Sequence, residues 1–524
     1  MNFKKKLIII TIIMFIIGLL ILIIYNINKY SNGKINIDVQ SENINWDNYE
    51  NKDITLESDL SITSPGIYTL SETLEGMVII NTTGNVKLIL NEVTITSSKG
   101  PAIYVQNAKN VVISTKEGTT NTLSDAKTYK DIDDKDAEGA IYSKEDLILE
   151  GEGTLVLNGN KGDALVSKDD LIINGGKYVI TSADDGIRGK DSVYIKSGEF
   201  TIKSTCDAIK STNDKNKRKG FVKIENGTFN ITTTNKLVDK STKGIKAVNV
   251  VLIEGGTFNI DSTDDAVHSD NIVKISGGNF EIKTGDDGIH ADNYLTIDNG
   301  TINIIESYEG IESENVIING GVINVNSSDD AINGSGKNPN RSKIKIYGGT
   351  INVVAGDDGL DSNGNLYIHG GKITSSALGD GIEGKQNIYI YGGEIYIDGP
   401  DNGVDDAVDF AKKMVIKGGT IVGLTNYAMP KTLDNTSKQY GVLVNFSKDY
   451  SKGDTVTILD NSNKKILTIT ASNTFSSILY SSNLLKKGES YIVKVNDNEE
   501  GKFTIESIST QVGNPKYLRN LIGK

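Results

Sequence analysis

A chain of 524 residues with a formal net charge of −13 lacks the basic stripe that a nucleic-acid partner would demand, and none is expected. Its single cysteine, Cys206, excludes an intramolecular disulfide framework. The 55 glycines against 6 prolines fit a protein full of tight turns whose strands keep their ladder donors.

At the N-terminus, Lys4, Lys5 and Lys6 precede an apolar run from Leu7 to Tyr25 that only Thr11 and Gly18 interrupt. At about 1.5 Å per residue the run reaches about 28 Å, close to the hydrocarbon thickness of a bilayer. Residues 1–25 are expected to be a transmembrane signal anchor. The basic cluster would stay in the cytoplasm and the bulk outside, giving a single-pass protein of the cell membrane. The other reading, a cleaved signal peptide, lacks a small-residue cleavage site at Asn26-Ile27-Asn28-Lys29. Residues 26–52 read as a polar spacer. Residues 53–125 are strand-rich without acidic pairs and are expected to cap the fold and supply its first rungs.

From 126 to 424 the chain repeats itself. Asp184-Asp185-Gly186-Ile187 returns as Asp264-Asp265-Ala266-Val267, Asp286-Asp287-Gly288-Ile289 and Asp329-Asp330-Ala331-Ile332, then as Asp357-Asp358-Gly359-Leu360 and Asp405-Asp406-Ala407-Val408. The commonest spacing is 22 residues, stretched at a few places, which is the signature of a solenoid. Within a period, Ile187, Val193, Ile195, Phe200 and Ile202 alternate with polar residues, so they face one interior. Glycine pairs such as Gly277-Gly278 and Gly370-Gly371 supply the sharp corner between the second and third strands. Three short strands per period bury nothing alone. Stacked at about 4.8 Å they form a core, and a right-handed parallel β-helix is predicted. Extra residues at 213–219, 237–241, 334–340 and 398–404 are expected as loops on its surface. Past 424 the period stops. Tyr440–Phe446, Thr455–Leu459, Ile466–Thr470 and Tyr491–Val495 read as antiparallel strands of a small β domain or capping sheet over 425–506, and the tail 507–524 has no assignment.

Stacking places Asp265, Asp287, Glu309, Asp330, Asp358, Asp380 and Asp406 in one carboxylate file. At an effective dielectric near 20, each neighbouring pair repels by about 3.5 kcal/mol, so the file demands raised pKa values or bound cations. Asp329, Asp357 and Asp405 share the outward parity, as do Asp361, Glu383 and Asp409 after the apolar position. Hard oxygens from adjacent rungs suit Ca²⁺. The predicted ligand set is Asp329, Asp330, Asp357, Asp358, Asp361, Asp380, Glu383, Asp405, Asp406 and Asp409. The competing reading is a ladder of turns in which each aspartate accepts an N–H two residues on. His268 and His290 occupy the outer position two rungs earlier, and two imidazoles without cysteine argue against Zn²⁺.

Towards the N-terminal end the outer position is basic, with Arg188, Lys210 and Lys246, a candidate surface for an acidic polysaccharide. Outward tyrosines form two columns, Tyr367 with Tyr389, and Tyr347 and Tyr391 about His369. Their faces are candidates for stacking on sugar rings, or for stabilising the sheet as an exterior ladder.

The run Gly66-Ile67-Tyr68-Thr69-Leu70-Ser71-Glu72-Thr73-Leu74 resembles the opening of a clostridial family of carbohydrate-binding β-helix proteins. Val86-Lys87-Leu88-Ile89-Leu90-Asn91, Gly118-Thr119-Thr120-Asn121-Thr122-Leu123 and Asp184-Asp185-Gly186-Ile187-Arg188-Gly189-Lys190-Asp191 extend the likeness in order along the chain. The resemblance implies a fold similar to β-helical pectate lyases, Ca²⁺ held by aspartates of the acidic turns, and binding of cellulose or acidic, pectin-like polysaccharide. The chain departs from that pattern at Lys243-Gly244-Ile245, at Glu309-Gly310-Ile311 and at Ala407-Val408-Asp409-Phe410-Ala411-Lys412. A Ca²⁺-dependent carbohydrate-binding protein of the cell surface is the expected function. A polysaccharide lyase with Lys210 or Lys246 as base is one alternative, and a structural spacer or adhesin the other.

Overall fold

The structure, a computed structural model, describes residues 44–516 other than 131, 133, 135, 236–239 and 428, together with residues 35 and 37. The expected anchor over 1–25, most of the spacer, most of the 237–241 loop and the end of the tail lie outside the described residues. Among the described residues no helix is long and apolar enough to cross a membrane.

Every period contributes three strands, as at Ile187–Gly189, Ser192–Ile195 and Glu199–Ser204. Each pairs in parallel with its equivalent one period on, residue for residue, so that Ile187 faces Ile209 and Phe200 faces Phe229. Among the described residues the first strands form one sheet of 15, from Leu60–Ile62 to Val408–Phe410, while the second and third strands join a larger one. This is the architecture of a parallel β-helix. Near its start the corner is softer. Val86–Thr96 runs on past the corner to pair with both Val111–Thr115 and Thr120–Ser124, with Glu92 at φ 59° where later rungs use glycine. At Gly371 φ is 95°, and a Cβ there would lie 2.9 Å from the carbonyl oxygen of Gly349 in the rung below. The stack leaves no room for a side chain on that corner.

Period-2 alternation delivers the core. Leu360, Ile382, Ile388 and Ile395 have no solvent exposure. Tyr178, Phe200, Phe229, Phe258 and Phe280 form an internal column with ring centroids 4.5–4.9 Å apart and planes within 10° of parallel. Phe258 has a ring on each side, so Phe258→Ala removes two stacking contacts and opens a cavity worth about 3–5 kcal/mol. In a solenoid that loss stays local. Hydrogen exchange should therefore quicken in the strands holding Phe229 and Phe280 and stay unchanged near Val86–Thr96. Unchanged protection throughout would show that the column contributes little.

The predicted loops at 213–219 and 334–340 separate the first and second strands of their rungs, and that at 398–404 precedes Val408–Phe410. The C-terminal region combines a small sheet with strands that cap the solenoid. Lys465–Thr470, Thr455–Leu459, Ser490–Val495 and Asn498–Thr504 form a four-stranded antiparallel sheet. Phe475–Ser481, which sequence reasoning missed, instead pairs antiparallel with Thr420–Thr425 of the last rung and with Gly441–Tyr450. Ser509–Val512, in the unassigned tail, adds in parallel to Gly441–Tyr450. These strands cover the end of the solenoid, where an open ladder would otherwise invite another chain.

Candidate functional site

The acidic turns lie immediately before the first strand of each rung. Burial of the apolar residue two positions on pins each second aspartate against the wall, and the parallel register sets those aspartates one above another. Asp163, Asp185, Asp207, Asp265, Asp330 and Asp406 are all buried, with 0–7% exposure.

One oxygen of most of these carboxylates is structural. The Asp185 N–H donates to Asp163 Oδ1 at 3.0 Å, Asp207 N–H to Asp185 at 3.0 Å and Asp287 N–H to Asp265 at 3.1 Å. The pattern continues with Asp358 N–H on Asp330 (3.0 Å), Asp380 N–H on Asp358 (2.6 Å) and Asp406 N–H on Asp380 (2.6 Å). The donor thus comes from the next rung, not from two residues on as in the turn ladder considered above. These aspartates splice one rung to the following one.

The second oxygen divides the file in two. In the N-terminal half the protein supplies its own cations. Arg188 lies 2.5 Å from Asp163 Oδ2, and Lys210 lies 3.1 and 2.8 Å from Asp185 and Asp207. Lys243, which replaces an aspartate, reaches Asp264 and Asp265 at 2.6 and 2.7 Å. Burial opposes the charge of Asp265, but hydrogen bonds from His268 and Lys243 hold its carboxyl well below the usual range. The predicted cationic patch is therefore corrected. Arg188 and Lys210 are spent on this neutralisation, and Lys246 donates to Ser241 Oγ at 3.1 Å. Despite its burial, Lys210 is held in its charged form by Asp185 and Asp207, the opposite of what a general base needs.

Burial still pushes the Asp163, Asp185 and Asp287 carboxyls up in the N-terminal half. From Glu309 onwards the carboxylates are raised as well, with fewer cations of the protein's own beside them. Burial, reinforced by neighbouring carboxylates, pushes Asp330, Asp358 and Asp380 up to about 7, Glu383 to about 8 and Glu309 to about 9. Asp329, Asp330 and Asp357 bring carboxylate oxygens within 4.8 Å of one another. Among the described residues, Glu309 Oε2, Asn333 Oδ1 and Asp361 Oδ1 are buried with no hydrogen-bond donor. Asn333 and Asp361 face each other in register, and Asn333 Nδ2 donates to Glu309 Oε1 at 3.1 Å. A Cβ at Gly379 would strike Asp358 Oδ1 and Asp357 Oδ1 at 2.4 and 2.5 Å, so glycine there leaves the space in which those oxygens meet.

Two cations at the rim went unrecognised in the sequence. Lys385 lies 2.7 Å from Asp361 Oδ2 and 3.6 Å from Glu383, and Lys431 pairs with Asp409 while its N–H donates to Asp406 at 3.1 Å. A signal for the first was present. The residue two after the outer position carries the complementary charge in His268-Ser269-Asp270, His290-Ala291-Asp292 and Glu383-Gly384-Lys385.

The tyrosine columns form as predicted, with a consequence for sugar stacking. Tyr347, His369 and Tyr391 stack at 4.6 and 4.5 Å with planes within 9°, and Tyr367 stacks on Tyr389 at 5.3 Å. Lys417 lies over the Tyr391 ring at 4.8 Å. Within each column the inner ring faces are spent on one another, as in an exterior ladder.

The chain matches the family model described as carbohydrate-binding domain-containing protein over residues 56–242, 237–288 and 286–426. A carbohydrate-binding domain-containing protein of Acetivibrio thermocellus is 32% identical over 157 residues, 29% of this chain and 54% of the relative, so the chain spans about half the length of that relative. Among solved structures, a polysaccharide lyase-like protein from C. thermocellum, determined as a gadolinium derivative, is 28% identical, covering 50% of this chain and 94% of that one at a TM-score of 0.38.

Proposed function

The chain belongs to the carbohydrate-binding domain-containing family, and from that membership we propose that it is a Ca²⁺-dependent binder of acidic polysaccharide, displayed outside the cell on the anchor of residues 1–25. The observation that carries this reading is the contrast within one file. In the N-terminal half Asp163, Asp185, Asp207 and Asp265 are ion-paired with Arg188, Lys210 and Lys243, whereas Glu309, Asp330, Asp358 and Asp380 find no such partner among the described residues and lie beside three buried oxygens without donors. A purely structural file would need neither the excess charge nor the orphaned acceptors.

Asp329, Asp330, Asp357, Asp358, Asp361, Asp380 and Glu383, with Asn333, are the residues that would hold Ca²⁺. Asp405, Asp406 and Asp409 extend the set at the end that Lys431 partly covers. Bound there, Ca²⁺ would supply the positive charge through which an acidic protein meets an anionic polymer. A polyuronate fits this better than neutral cellulose, because the inner faces of the tyrosine columns are already engaged. The protonated state of Lys210 supports binding over lyase chemistry at that residue.

The test is retention on immobilised polygalacturonate with millimolar Ca²⁺ and with chelator. Binding should require Ca²⁺ and return when it is restored. Equal retention in chelator would reject the bridge.

A further inference from the structure

We infer that a divalent transition-metal ion of the zinc, cobalt and nickel class binds beside the rungs of Asp265 to Glu312, ligated by Nδ1 of His268 and of His290 and by carboxylate oxygens of Asp265, Asp287 and Glu312. This goes beyond the Ca²⁺ reading, uses different residues and does not depend on it.

Three observations carry the inference. Ligating atoms converge from three consecutive rungs: His268 Nδ1 lies 2.7 Å from Asp265 Oδ2, and His290 Nδ1 lies 2.8, 3.1 and 3.8 Å from Asp287 Oδ2, Glu312 Oε2 and Asp265 Oδ2. Within each of the trios Asp265–His268–His290 and Asp287–His290–Glu312, one ligating atom from each residue lies within 4.8 Å of the others. Secondly, His290 Nδ1 has one proton to give and three anionic oxygens around it, a mismatch that a single metal ion resolves by bonding all of them.

Thirdly, the far nitrogen of each ring faces a carboxylate, hydrogen-bonded to it at His268. His268 Nε2 lies 2.9 Å from Asp270 Oδ1, and His290 Nε2 lies 3.5 Å from Asp292 Oδ1. An aspartate on the remote nitrogen fixes the ring and raises the basicity of the near one, the arrangement that metal-ligating imidazoles use. It occurs on two successive rungs, built by the same His-x-Asp spacing. Lys243 closes one end of the site through Asp265, and Glu309 stands at the other. Imidazole donors favour zinc-class ions over the oxygen-seeking Ca²⁺. Sequence reasoning set Zn²⁺ aside because two histidines alone are too few. The stack adds the carboxylates of three rungs to them.

The test is Co²⁺ titration of the untagged full-length chain in detergent, after treatment with chelator and dialysis. One Co²⁺ per chain should give visible d–d bands that Zn²⁺ abolishes and millimolar Ca²⁺ leaves intact. His290→Gln should weaken Co²⁺ binding at least a hundredfold and remove the bands, while His369→Gln, at the only other histidine, should leave them unchanged. Asp270→Asn, at a half-exposed positioning residue, should weaken binding about tenfold and decides the matter if the His290 variant does not fold. The absence of bands in the parent, bands unchanged in His290→Gln or Asp270→Asn, or displacement of Co²⁺ by Ca²⁺ would each overturn the assignment. Failure here leaves Ca²⁺-dependent retention on polygalacturonate untouched, so the two readings are separable.

Discussion

In chelator the chain should lose thermal stability as the pH rises from about 5 to about 9, and millimolar Ca²⁺ should remove most of that loss. The folded state pushes Asp330, Asp358 and Asp380 up to about 7, Glu383 to about 8 and Glu309 to about 9, chiefly through burial. Unfolded, these groups titrate near 4. Between those values the folded chain binds protons that the unfolded chain has released, so stability falls with rising pH. It is fully present below the unfolded values and gone above the folded ones. His268 and His290, also raised in the fold, act in the same direction. Asp265 and Asp207 are lowered and act only at more acidic pH.

A divalent ion reverses the trend because it neutralises the ionised carboxylates. At a hundred times its Kd it adds about 2.7 kcal/mol, and its affinity should climb by up to about tenfold per pH unit for each proton displaced. Glu309→Gln removes the most strongly raised of these five groups and keeps its shape, so in chelator at pH 8 it should melt higher than the parent. Melting curves across pH, with chelator or Ca²⁺, check all of this. A flat pH profile in chelator, or indifference to Ca²⁺, would rule out a strained carboxylate file.

Replacing both Asp361 and Glu383 by alanine should abolish the Ca²⁺-dependent part of polygalacturonate binding. Both residues belong to the outer file, in register on adjacent rungs. Loss of two direct oxygens should weaken Ca²⁺ binding by on the order of a hundredfold or more, since even outer-shell partners are worth 10–100-fold. The fold should persist, because Leu360 and Ile382 beneath them remain fully buried. Lys385, which pairs with both carboxylates, would be released. Weak retention that ignores chelator and disappears in high salt would then come from that lysine. The informative quantity is the difference between Ca²⁺ and chelator for parent and double variant, with calorimetric Ca²⁺ titration alongside. A difference as large in the variant as in the parent would remove Asp361 and Glu383 from the site.

The repeat, and with it the β-helix, was legible in the sequence because both depend on short-range regularities. Alternation with period 2 decides which residues face inward, and the recurrence of Asp-Asp-Gly-Ile brings Ile187 over Ile209 and Tyr367 over Tyr389. The crowding of carboxylates followed from the same spacing. The solenoid's end was not legible. Phe475–Ser481 is a short mixed run whose pairing with Thr420–Thr425 spans more than fifty residues of chain, and pairing at that distance leaves no local periodicity.

Charge bookkeeping was likewise decided only by the tertiary structure. The rung spacing predicts that carboxylates repel. It does not say that one oxygen of most takes an N–H from the following rung, or that Arg188 and Lys210 fold back onto Asp163, Asp185 and Asp207. Long flexible side chains reach partners about 25 residues away, and which carboxylate wins depends on burial and distance. For the same reason the sparsely compensated end of the file, around Asp330, Asp358 and Asp380, and the carboxylates gathered about His268 and His290 became distinguishable only once neighbouring rungs were in contact.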